Sequence, residues 1–445
     1  MKSKFHSLLL LLFLALFSCK EDSKTINENQ SNAQKHLDLA QLETSDSLTR
    51  LAHSDSAYGY AKHSNDKSLL WRAFSTKYAL AKQRNTHGAA AMLRSYLSDS
   101  KKLNDTLNIA NAYYETAKYY NEIGKKDSAF QYFNASKIKY ELLKDSLQVA
   151  EKLLWQADIY AEYNDYIEME SASTEALKYL GRSFETSIDT AYATAAFTNY
   201  GRAYTQLSNI PDALVYLDKA SNLTRDPISL DIIQNNKAVA FMEIEDYTSA
   251  IAILQKLEAS PSVKSNPETR SKVLGNLGFC YFKTNDVRSL DHLKKSIEIR
   301  EQTKDSFGQI PGYIHLSDYY AKTDQLVAQK YAKKAYSIAS SIKSADDRLE
   351  ALKRLRETST GSERDHYSTI YISTQDSISD VRQKAKNQFA KVRYDAGEAT
   401  AENSKLRTRQ IENKLEIEKR KRANDFLYFS LILGLVISTL LYFLL

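Results

Sequence analysis

The sequence predicts an all-α protein: a solenoid of helical repeats, then a long helical stalk and one C-terminal transmembrane helix. Three observations carry that reading. Residues that start helices recur at intervals near 40 along most of the chain, the mark of a repeat array rather than of independent domains. Only 12 Gly and 5 Pro interrupt 445 residues, too few for a turn-rich sandwich or propeller, whereas Ala, Leu, Lys, Glu and 30 Tyr suit packed helices. Finally, residues 376–445 contain no Pro and pass from a charged stretch to an uncharged one.

Residues 1–19 read as an export signal, with Lys2 and Lys4 ahead of an apolar run from Leu8 to Phe17 that is too short to span a bilayer comfortably. The run ends Leu16-Phe17-Ser18-Cys19. It resembles the lipobox of bacterial lipoproteins, which implies a lipid on Cys19, although Phe17 is bulkier than the usual residue there. The other reading is an ordinary signal peptide with an incidental cysteine. Residues 20–34 are polar and expected to form a flexible tether.

Residues 35–375 form the array. Asp66, Asp105, Asp145, Asp189, Asp226, Asn266, Asp305 and Asp346 follow one another at 39, 40, 44, 37, 40, 39 and 41 residues. Each is a short side chain able to accept a bond from an orphan backbone N–H, so each is expected to be a helix N-cap. Within the period, Phe197, Asn199, Tyr200, Gly201 and Tyr204 precede Ala213, Leu217 and Ala220, and the frame returns at Ala117/Tyr120/Ala129/Phe133 and Ala238/Phe241/Ala250/Leu254. Small residues facing large ones are what two antiparallel helices need for close approach. This pattern resembles the tetratricopeptide repeat, with a period of about 40 in place of 34, and implies A and B helices in alternation. Asn276, Gly278 and Tyr281 fit helix A, but Ser289, Leu293 and Ser296 require a shorter turn. The stretches near Trp71 to Tyr96 and Arg348 to Gln375 are degenerate, as terminal repeats are.

The resemblance also implies a binding groove on the A helices. Asn199, Asn236 and Asn276 share the repeat position where such proteins often offer an asparagine to a bound peptide. Tyr114, Lys118, Asp158, Thr198, Arg202, Asn235 and Phe279 are expected to face the same groove, and Cys280 beside them to be a small buried hydrophobe. The mixed charge suits a peptide or protein ligand better than a phosphate or nucleic acid. Residues 5–375 carry no net charge, the excess of +6 lying in Lys2, Lys4 and residues 376–425, so direct nucleic-acid binding is not expected.

Residues 376–425 read as a long charged helix with a weak heptad seam at Ile378, Ala385, Val392, Ala399 and Leu406. They form either a coiled coil that makes a homodimer or a solvated helix with no partner. Residues 426–445 are uncharged and long enough to cross a membrane. Lys419-Arg420-Lys421-Arg422 beside them would favour the cytoplasm, in conflict with an export signal; ranking the signal higher places the protein in the inner membrane with its array on the periplasmic side. An array, a helix and a span in this order resemble the sensor half of bacterial signalling proteins, in which a histidine-kinase or helix-turn-helix domain follows. Neither output domain occurs in residues 20–445.

No phosphate-binding loop, nucleophile elbow or His-Glu-x2-His motif is present, and two cysteines and eight scattered histidines offer no metal-ligand spacing. No enzymatic activity, cofactor or metal is expected. The function expected is a membrane-anchored protein-interaction module in a signal-transduction system. The rivals are a passive envelope scaffold or adaptor, and part of a longer kinase or DNA-binding regulator.

Overall fold

The computed structural model describes residues 25–42, 45–83, 88–181, 183, 184 and 186–444; side chains at several positions from 396 to 425, and from 427 onward, lie outside the described set. Nineteen helices are described. The first, α1, covers residues 25–41, with Ala33 and Leu37 fully buried, so ordered structure begins inside the segment expected to be a tether. It is followed by α2 (Ser47–Ala61), α3 (Lys67–Gln83), α4 (Ala89–Lys102), α5 (Thr106–Glu122), α6 (Lys126–Leu143), α7 (Ser146–Glu162), α8 (Tyr166–Leu180), α9 (Ser187–Gln206) and α10 (Ile210–Leu223). The rest are α11 (Pro227–Glu243), α12 (Tyr247–Ala259), α13 (Pro261–Ser265), α14 (Pro267–Lys283), α15 (Ser289–Gln302), α16 (Ser306–Tyr320), α17 (Gln325–Ser341), α18 (Ala345–Thr358) and α19 (Gly361–Leu444). The expected export signal and Cys19 lie outside the described residues.

The capping residues set the period. Asp66, Asp105, Asp145, Asp226, Asn266 and Asp305 each accept a bond from a first-turn N–H of the helix they precede, satisfying donors that the helix itself cannot. Two expected caps sit elsewhere. Thr186 caps α9 and Asp189 completes its capping box from the first turn. Asp346 lies inside α18, whose cap position is Ser344. At the junctions one residue turns left-handed, including Asn164, Ser208, Glu245 and Asn285 between A and B helices. The next residue then bonds back to the preceding helix, as from the Asp246 N–H to Phe241 O at 3.0 Å.

Helix A of one repeat packs on its own helix B and on the next helix A, as α7 on α8 and α9, or α14 on α15 and α16. Successive B helices meet through fewer contacts, as where Lys137 of α6 reaches Glu175 of α8 at 3.4 Å. The A helices therefore form the tighter, inner wall of the curve. The small-to-large fit holds it closed. A Cβ on Gly201 would lie 2.4 Å from Leu217 Cγ, and one on Gly278 would lie 2.9 Å from the Leu293 backbone nitrogen. The degenerate N-terminal stretch still makes a core, where Phe74 stacks on Tyr96 at 3.9 Å between ring centres. This is a tetratricopeptide-like helical solenoid.

Two compact units divide the chain at Gln388, so the array unit extends past the expected boundary at Gln375. The start of α19 acts as the last B helix: Tyr367, Ile370 and Tyr371 pack on Leu352 and Leu355 of α18. The second unit comprises residues 389–445, its described part being the remainder of α19. Its described face is charged and exposed from Glu412 through Arg422, which a hydrocarbon core would not accept. Among the described residues no helix is long and apolar enough to cross a membrane. On that finding the inner-membrane, periplasm-facing location is withdrawn. The side chains of the expected span at 426–445 lie, from 427 on, outside the described set.

Candidate functional site

The inner wall carries a ladder of polar contacts between successive A helices. Tyr114 of α5 donates to Glu151 of α7 at 2.5 Å and accepts from Trp155 Nε1 at 3.2 Å. Arg202 of α9 reaches Asp158 of α7 at 3.3 Å and Asn199 Oδ1 at 3.2 Å. Asn276 of α14 donates to Asn235 of α11 at 2.9 Å. Phe279 lies tilted against His315 of α16, ring centres 4.7 Å apart. Arg354 of α18 grips Asp318 of α16 with two bonds, 2.8 and 3.1 Å, the forked geometry that makes guanidinium–carboxylate pairs specific.

The expected groove residues thus divide. Arg202 and Asp158 are presented, with 43% and 52% of their side chains exposed. Asp158 is nonetheless held above the usual carboxylate range because the wall desolvates it, Arg202 opposing that effect. Asn236 is half-buried and lines a cavity of about 310 Å³ with Glu162, Tyr166, Met169, Arg202 and Val239. Asn276, Asn235 and Phe279 are half-buried and occupied by their neighbours. Asn199 is only 5% exposed and supports Arg202 instead of facing outward, so the shared asparagine position does not offer three equivalent amides. Thr198 bonds within its own helix, to Thr194 O at 2.7 Å. Lys118 pairs with Glu115 at 2.6 Å and sits over Tyr114.

Several inner-wall groups had no sequence signal of their own. Lys152 has no exposed side-chain surface, lies 3.8 Å from the Tyr114 ring centre, and pairs with Glu151; burial pulls its pKa down against the pull of that carboxylate. His315, counted from its cap Asp305, falls at the step that Asn236 occupies from Asp226 and Asn276 from Asn266. Burial lowers its pKa to about 4, with Asp318 opposing and Arg300 and Arg354 assisting. Extending the asparagine register by one repeat would have found it. Cys280 is fully buried, and burial pushes its thiol up to about 12, which keeps it protonated and inert. Among the described residues no cluster of His, Cys, Asp and Glu could hold a metal ion.

No protein-family model and no curated protein sequence matches the chain. Solved structures do. A Rap protein complexed with Competence and Sporulation Factor superposes with a TM-score of 0.54 at 16% identity, covering 83% of this chain and 99% of its own. The Rap conjugation gene regulator of plasmid pLS20, in complex with the Phr* peptide, gives 0.53 at 11%, covering 81% and 96%. Aspartyl phosphate phosphatase F from Bacillus subtilis gives 0.51 at 12%, covering 84% and 93%. At such identities the likeness establishes the helical-repeat fold alone.

Proposed function

We propose that the chain is a non-enzymatic interaction module whose A-helix wall binds a peptide or protein segment, as the ligand-binding part of a signalling protein. The observation that carries this is the half-open Arg202–Asp158 pair beside the cavity shared by Arg202 and Asn236. An asparagine amide can give and take a bond with one peptide unit, and a guanidinium fork can take a ligand carboxylate. Two structures of the same fold, the Rap protein with Competence and Sporulation Factor and the pLS20 regulator with the Phr* peptide, hold such partners, which supports the reading.

Peptides selected from a displayed library against the full chain provide the test. Arg202→Glu with Asn236→Ala should weaken the selected peptides at least about tenfold, as removal of a central charged anchor does, with helicity unchanged. Undiminished binding would overturn the proposal. A passive scaffold is separated from a sensor by deleting three residues at Ala399: the change of helical phase alters a signalling output and leaves a scaffold intact.

A further inference from the structure

The first two residues of the heptad seam, Ile378 and Ala385, are buried within the array unit. Within the first unit, Thr374, Ile378 and Ala385 of α19 are 4%, 8% and 3% exposed, a stripe at helical spacing, while Gln375, Ser379, Asp380, Lys384 and Asn387 between them are exposed. Two cations of the same segment meet array carboxylates. Arg382 reaches Asp346 at 2.5 Å, and Lys386 reaches Asp165 at 3.4 Å. The second contact joins α19 to the turn between α7 and α8, in the middle of the array. Asp165 is 10% exposed at its side chain and stands at the cap position of α8 without making a capping bond. Asp246 and Asp324, at the corresponding turns, do cap their helices. A buried carboxylate that forgoes the bond to its own helix and meets a distant lysine is arranged for that lysine.

The contact lies next in sequence to the cavity described above. Tyr166, the residue after Asp165, lines it, and burial raises the pKa of its phenol, with Arg382 and Arg202 opposing and Asp346 and Glu243 assisting. One ion pair of the α19 segment therefore stands beside a residue of the cavity that Arg202 and Asn236 share.

We propose that residues 374–388 of α19 are a resident, intramolecular ligand of the groove, and that the peptide bound under the function proposed above must displace them. Resting on that reading, the inference also gives the ligand its chemistry. The displacing peptide carries two cations, to take over Asp165 and Asp346, along the edge of the same helical face that carries aliphatic residues to replace Ile378 and Ala385. Binding frees α19, and the ligand signal leaves the array as a change in that helix.

The probe is a fluorescein-labelled synthetic peptide of residues 374–388, added to the full chain and to the full-length double variant Arg382→Glu/Lys386→Glu, whose own segment is repelled. If the resident segment occupies the site about nine-tenths of the time, the variant binds the probe about tenfold more tightly, because apparent affinity scales with the competent fraction. Amide exchange in residues 374–388 should be faster in the variant, and protection should return when Lys386→Glu is combined with Asp165→Lys. Equal probe affinity in wild type and variant would overturn the proposal. So would faster exchange with no probe binding, which would make the segment a structural brace. If library-selected peptides still bind and still require Arg202 while these measurements fail, the groove function stands and only its occupancy by α19 falls.

Discussion

Gly201→Ala tests the packing that aligns the inner wall. The added Cβ would lie 2.4 Å from Leu217 Cγ and 2.6 Å from Leu217 Cδ2, whereas carbon atoms rest at about 3.5 to 4.0 Å. Leu217, fully buried, must retreat by about 1 Å or the helices must separate, at a cost of about 1 to 3 kcal/mol. Alanine recovers about 0.5 to 1 kcal/mol through its better helix propensity. The net loss is then about 0 to 2.5 kcal/mol. Because every near atom belongs to the Leu217 side chain, the loss should reverse in a Leu217→Ala background. There the Cβ enters vacated space, and the single cost of Leu217→Ala, about 2 to 5 kcal/mol, falls by about 0.5 to 1 kcal/mol. The coupling is about 1 to 3 kcal/mol. Urea unfolding followed by fluorescence of Trp71 and Trp155 and by circular dichroism measures it, with agreement of the two signals required because repeat arrays can unfold in parts. A raised stability for Gly201→Ala in the wild-type background, or zero coupling, would refute the close-packing account.

Three further outcomes are expected. His315 has a folded pKa of about 4 against 6.5 unperturbed, so its neutral form is the one the fold favours. The associated stability is complete above pH 6.5, declines as the pH falls toward 4 and then levels off, amounting to about 3 kcal/mol. His315→Gln should shrink the loss of urea resistance between pH 7.5 and 4.5, and an identical loss in both proteins would contradict the assignment. Cys280 should resist a thiol reagent at pH 8 in the folded chain and react on unfolding; prompt modification of the native protein would show that the α14 core opens. Glu245, held left-handed at φ 58°, should gain about 0.5 kcal/mol on replacement by Gly, the relief of left-handed strain exceeding the entropy Gly loses, as read from the urea midpoint.

The fold was legible because its determinants are local. A cap must stand immediately before its helix, so the recurrence of Asp and Asn exposed the period, and a close helix contact needs its small residue at one point of each turn, so Gly201 and Gly278 exposed the register. The two misplaced caps show the limit of that logic. Asp189 sits one turn inside its helix as half of a capping box, and Asp346 is held for a partner on α19; a lone aspartate near a helix start looks the same in all these roles. The inner wall was legible by position and not by state. Periodicity put Asn199 on helix A but could not reveal that its amide is spent on Arg202, because a hydrogen bond depends on a side-chain rotation that spacing does not encode.

The stalk shows why the remainder was hidden. A stripe of Ile378, Ala385 and Val392 says that one face of a helix seeks cover, and it says the same whether the cover is a second copy or the chain's own repeats. Charge could have decided between them: a dimer seam keeps its cations at the flanks to pair with its twin, whereas Arg382 and Lys386 are answered by Asp346 and Asp165, the latter far away in sequence. Such pairs become visible only when the solenoid has curved enough to bring its middle near its end, and that curvature is the sum of many small helix–helix angles. The same curvature makes the groove sensitive to its own C-terminal helix. An array that relaxed by even a small angle per repeat would separate Asp165 from Lys386 over several repeats, so a ligand that reshapes the inner wall and one that competes directly for the two carboxylates would both release α19. Only direct competition is answered by the Asp165→Lys/Lys386→Glu exchange of charges, which should restore docking without restoring affinity for a cationic peptide.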